Sequence, residues 1–154
     1  MRRVGAFWAI LAISLGFSPA ARANEDAFVE ANVLGIFYHE LGHALIDIEG
    51  VPIFGQEEDA ADVFSILMID WFFDDTTALD LAYDASLGFW GEALMRDAES
   101  AEIAWWGVHG PDEQRFYNTV CLFYGANPDT RAAFAQDMDL PEDRAEYCPD
   151  EYDI

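Results

Sequence analysis

The chain has 154 residues, 30 acidic side chains against seven arginines, and a net charge of −23. That length sets one domain, large enough to bury its own core. A surface so negative repels nucleic acid and anionic lipid and excludes both as partners. The acids alternate with aromatic and aliphatic residues rather than forming a tail, so disorder is not implied.

Taken from the start, Arg2 and Arg3 precede an uncharged apolar run from Val4 to Phe17, and Ala21-Arg22-Ala23 has the small-x-small form of a cleavage site. The pattern predicts a secretory signal peptide over 1–23 and a mature domain over 24–154, exported to a bacterial periplasm or beyond. An N-terminal membrane anchor would need about 20 apolar residues, longer than this run, so no stable membrane insertion is expected after cleavage. Removal takes three of the seven arginines and no acid, so the net charge moves to 4 − 30 = −26.

Helix punctuation fills the rest. A first helix is predicted from Asp26 to about Ile48. Its apolar stripe, Leu34, Phe37, Leu41, Leu45 and Ile48, marks a buried central helix. Gly50, Pro52 and Gly55 end it, leaving Val51–Phe54 as a loop or one short strand. A second helix runs from Glu57 to Phe73 with Val63, Phe64, Leu67 and Trp71 as its core face. A third is opened by Thr77 and reaches about Glu99. Asp112–Tyr124 is a fourth, stopped by Gly125. Asp129 to about Met138 is a fifth, and Pro141–Tyr147 a last turn. The expected class is mostly α: a single compact helical domain with at most one short strand or hairpin.

The first helix contains His39-Glu40-Leu41-Gly42-His43, which reads HExxH. Imidazoles four residues apart share one helix face and can grip one metal ion. Glu40 is turned about 100° from His39, placed to act as a general base on water. A catalytic zinc commonly has three protein ligands and one open position. One candidate for the third is Glu58, on the next helix beyond a Gly/Pro turn. Asp62 lies one turn further on the same face, able to accept the second ring N–H of His39 or His43. Ala61 and Ser65 are small enough to let the two helices approach. Against this, Glu57, Glu58 and Asp59 together read as a solvated acidic helix start. Glu57 and Asp59 are expected to point off the Glu58/Asp62 face. The weaker third candidate is Glu49: a resemblance of the motif to the metzincin pattern would imply a third ligand six residues after His43, but that pattern needs a glycine where Ile46 stands.

HELGH at 39–43 with EEDAAD at 57–62 resembles the gluzincin type of zinc peptidase, whose HExxH is followed by ExxxD. His109-Gly-Pro-Asp-Glu-Gln-Arg115-Phe-Tyr117-Asn118, followed by Cys121 and Gly125, is similar to a group of exported bacterial proteins of unknown function that carry a metallopeptidase name. The likeness spans most of the mature chain. It implies a helical domain built around an HExxH active-site helix. It also implies one Zn2+ per chain on His39, His43 and Glu58, with Glu40 catalytic. Larger gluzincins pair an extended substrate on an edge strand, for which this chain shows no signal.

His109, the third histidine, stands in a turn after Trp105-Trp106. It is a candidate for stabilising charge on a tetrahedral intermediate, and equally a plain turn residue. Arg115 and Tyr117 are weaker candidates, Arg115 reading first as a salt-bridge partner in so acidic a protein. Trp105 and Trp106 are expected in the core or at its rim. Cys121 and Cys148, an even pair in an exported chain, are expected to form a disulfide tying the C-terminal segment to a helix.

The expected activity is a zinc-dependent hydrolase, a metallopeptidase acting on a peptide or protein substrate, with a lean toward basic ones. The alternative is a zinc-binding structural or interaction protein on the same fold, which would keep the ligands without needing Glu40.

Overall fold

A computed structural model describes the backbone of residues 19–153 and side chains from Glu25 to Asp153. The expected signal peptide therefore lies outside the described residues, but for the helical backbone of Pro19–Ala23. Seven helices follow in order: α1 (Pro19–Glu49), α2 (Glu57–Phe72), α3 (Asp75–Ala98), α4 (Asp112–Ala126), α5 (Pro128–Asp137), α6 (Glu142–Ala145) and α7 (Cys148–Tyr152). Among the described residues there is no strand, and Val51–Phe54 is a loop. The molecule is the mostly α single domain that its punctuation predicts. No helix of the described residues is long and apolar enough to cross a membrane.

The helix ends follow local chemistry. Gly50 closes α1 at φ 63°, a conformation glycine adopts without penalty, and the Val51 N–H donates to Ile46 O at 3.1 Å. The α3 cap is Asp74 rather than the expected Thr77. Its carboxylate accepts from the N–H groups of Thr76 and Thr77, both at 3.2 Å. Just past α3, Ser100 takes φ 54°, and the Ala101 N–H donates to Arg96 O at 3.1 Å.

Three expectations about packing are corrected. The central helix is α4, not α1. α4 packs against α2, α3, α5 and α7 and buries Phe116, Val120, Cys121, Leu122 and Phe123. The α1 stripe is largely open to solvent, with Phe37 58% and Ile48 74% exposed. α1 instead turns Ala31, His39 and Gly42 inward. On α2, Val63 and Trp71 are exposed while Ala61, Ile66, Met68 and Ile69 are buried. Leu45 of the α1 stripe and Val63, Phe64 and Leu67 of the α2 stripe border an open apolar groove of 320 Å³. Periodicity finds an apolar face but not what covers it.

Gly125 does not stop α4, which runs on to Ala126. A Cβ there would stand 2.2 Å from the Cys148 carbonyl oxygen, so the glycine serves the close seat of α7 on α4. The same contact carries the Cys121–Cys148 disulfide, as expected from the even cysteine pair. α5 is locked by Arg131, buried, which donates to Phe123 O at 2.7 Å, pairs with Asp70 of α2, and lies 3.7 Å over the Phe123 ring. Tyr152 OH donates to the other Asp70 oxygen at 2.7 Å.

Candidate metal centre

HELGH lies within α1, and α2 runs back beside it. Contact is close because the crossing residues are small. A Cβ on Gly42 would stand 3.2 Å from the Ala61 Cα, and Ser65 Oγ donates to Gly35 O at 2.9 Å. This crossing brings the first turn of α2 against the two imidazoles.

His39 Nε2, His43 Nε2 and Glu58 Oε2 form a near-equilateral triangle, with edges of 3.1 Å between the two histidines and 3.2 Å from each to Glu58. His39 Nδ1 lies 2.8 Å from Asp62 Oδ1, and His43 Nδ1 lies 2.8 Å from Glu57 Oε1. A carboxylate beside each Nδ1 fixes the proton there. With both rings neutral, the two Nε2 atoms are lone-pair acceptors, facing each other and a carboxylate oxygen. Three acceptors cannot satisfy one another, whereas one cation satisfies all three. The edges also fit the metal: bonds of about 2.0 Å around a tetrahedral zinc place ligand atoms about 3.3 Å apart. Two neutral imidazoles and one carboxylate are donors that suit zinc.

His109 joins from the loop between α3 and α4. Its Nε2 is 2.8 Å from Glu58 Oε2, and its ring stacks on that of His39 with centroids 6.0 Å apart. His39, Glu58 and His109 present ligand atoms within 4.8 Å of one another. The loop is pinned at both ends, since Arg96 near the end of α3 pairs with Asp112 and Glu113 at the start of α4.

Glu40 is exposed on the wall of an open cleft of 1260 Å³, which His43, Asp47, Glu57, Glu58 and Val108 also line. Its carboxylate makes none of the described ion pairs. Glu49, the last residue of α1, is exposed and touches neither imidazole, so the carboxylate that meets both is Glu58.

Glu57 is the residue the sequence reading missed. It was expected off the site face, yet it holds His43 Nδ1, and that hydrogen bond, countered in part by burial, raises the His43 pKa. Only its position next to Glu58 at the foot of α2 could have suggested it.

Arg115 forms the expected salt bridge, and its partner is Asp62. Tyr117 is turned away, lining a hollow with Pro141 and Tyr147 on the α6 side. Trp105 and Trp106 are not core residues: they are 75% and 82% exposed on the loop that carries His109. The four arginines beyond the expected signal, Arg96, Arg115, Arg131 and Arg144, all pair with carboxylates.

No curated protein and no solved structure matches the chain. A family model does, over residues 14–154, which takes in α1 to α7 and every residue of the site. The chain belongs to the family described as "Putative metallopeptidase".

Proposed function

We propose that this protein is an exported zinc-dependent hydrolase, a metallopeptidase, in which His39, His43 and Glu58 hold one zinc ion and Glu40 is the general base. One observation carries the reading: three acceptor atoms converge with the spacing of a tetrahedral face, each imidazole having its other nitrogen tied to a carboxylate. Zinc bound there would lower the pKa of water and polarise a substrate carbonyl.

The chain's own groups supply the rest. Glu40 follows His39, is turned toward the cleft, and takes the proton of the attacking water before handing it to the departing amine. His109, whose Nε2 lies 2.8 Å from Glu58 Oε2, would donate to the oxygen of a tetrahedral intermediate. Glu40, Asp47 and Glu57 give the cleft an acidic lining, which favours a basic peptide or protein substrate. The Cys121–Cys148 disulfide supports an exported protein.

The test is zinc content with Glu40→Gln. One zinc per chain in both proteins, with hydrolysis of a peptide library lowered about 10²–10⁴-fold in the variant, is the expected result. A variant that cleaves as fast as the parent sinks the mechanism. One zinc per chain with no cleavage by the parent favours the alternative, a zinc-binding structural module.

A further inference from the structure

Arg115 reaches from α4 to Asp62 with two nitrogens, Nε at 2.7 Å from Oδ2 and Nη2 at 2.9 Å from Oδ1. The same Oδ1 faces His39 Nδ1 at 2.8 Å. A continuous chain of guanidinium, carboxylate and imidazole therefore runs from α4 through α2 to α1. The guanidinium carbon lies 4.2 Å from the centroid of the Phe89 ring of α3, which fixes its plane. The side chains of Arg115 and Asp62 are 14% and 15% exposed, so solvent screens the pair little. Burial lowers the Arg115 pKa, and the hydrogen bonds and charge of Asp62 outweigh it, leaving the pKa raised.

We infer that Arg115 is a positioning residue of the candidate metal centre: it holds the Asp62 carboxylate in the one orientation that fixes the His39 ring with its Nε2 lone pair toward Glu58 and His43. The inference rests on the zinc reading above. Asp62 alone can rotate about its broad last torsion, and intermediate orientations turn both equivalent oxygens away from His39 Nδ1. The rigid two-nitrogen fork removes that freedom, which a lysine cannot do. Without the guanidinium, Asp62 is also a shielded charge with one imidazole N–H for a partner. Arg115 does not line the cleft, and its hydrogen bonds go to Asp62 rather than to a ligand atom, so it acts through Asp62.

A double-mutant cycle on zinc affinity tests this, using chelator competition on the full chain. Loss of an outer partner of a metal-bound histidine costs about 10–100-fold in affinity. Asp62→Asn is expected in that range, Arg115→Gln about tenfold, and Arg115→Lys between parent and Arg115→Gln. The combined variant should bind no more weakly than Asp62→Asn alone. Parent-like affinity in Arg115→Gln, or a combined loss equal to the product of the single losses, overturns the inference. Imidazole ¹⁵N shifts of the zinc-free protein read the His39 tautomer directly. They should show the Nδ1–H form in the parent and a mixture in Arg115→Gln and Arg115→Lys. Unchanged shifts in both variants also overturn it. Should the parent bind no zinc, the zinc reading falls, while these shifts still decide whether Arg115 sets the ring.

Discussion

Gly42 of α1 and Ala61 of α2 meet at the helix crossing, where a Cβ on Gly42 would come within 3.2 Å of the Ala61 Cα and 3.3 Å of the Phe64 ring. Gly42 sits between the two histidines, and Ala61 precedes Asp62. The approach of these two backbones therefore sets the distance between the imidazole pair and the carboxylates that face it. A helix-breaking residue stands mid-helix because its lack of a side chain lets the donors converge.

Gly42→Ala should accordingly weaken zinc binding without unfolding the protein. Alanine favours the helix by about 1 kcal/mol over glycine. The new methyl presses on backbone that cannot rotate away, at about 1–3 kcal/mol. Thermal stability should fall slightly, and chelator competition should show at least a severalfold loss of zinc affinity. Parent-like affinity would mean that the crossing does not govern the site.

Glu57 makes a pH-dependent prediction. Its hydrogen bond raises the His43 pKa, so zinc must displace a proton held to a higher pH than usual. Zinc affinity should climb as pH rises through that shifted value, and Glu57→Gln should move the climb to lower pH. In the zinc-free protein the sign for stability is opposite. A raised histidine pKa contributes stability fully present below the unfolded value and lost as pH rises through the folded one. Zinc titrations of parent and variant across the imidazole range check the first point, and urea melts of both zinc-free proteins check the second.

The Cys121–Cys148 bond closes a span of 27 residues and should contribute about 3 kcal/mol by restricting the unfolded chain. Replacing both cysteines with serine should lower the midpoint of thermal unfolding by about 10 °C. Gly125→Ala, which leaves the bond in place, should also destabilise, because its methyl meets the Cys148 carbonyl rather than a movable side chain. A Gly125→Ala melt equal to the parent's would show that α7 can shift freely.

Arg131 and Asp70 form another shielded ion pair, with side chains 9% and 11% exposed. Arg131→Met should cost about 3–5 kcal/mol, because it leaves the Asp70 carboxylate without its cation. Asp70→Asn with Arg131→Met together should recover part of that loss. Urea denaturation of the two variants reads both, and a double variant less stable than Arg131→Met would contradict the argument.

What the sequence by itself determined is local. Glycine and proline placement located the breaks after α1 and before α4, and the scarcity of strand patterns announced an α protein. The i, i+4 spacing of His39 and His43 defined a chelating pair, because a helix imposes that geometry whatever surrounds it. Glu58 and Asp62 were legible as one face of α2 for the same reason. Which side of a helix meets solvent was not legible. The stripes of α1 and α2 looked like core, yet much of each is open to solvent, and α4 took the centre because five elements converge on it. Only the tertiary structure decided that Glu58 rather than Glu49 faces both imidazoles. It likewise put Glu57 on His43, brought loop-borne His109 over the site, and set Arg115 behind Asp62. Those choices depend on the rotation of one helix against another and on the path of a loop. The first is set by the backbone contact of Gly42 on Ala61 and the second by the pairing of Arg96 with Asp112 and Glu113, both between residues far apart in the chain.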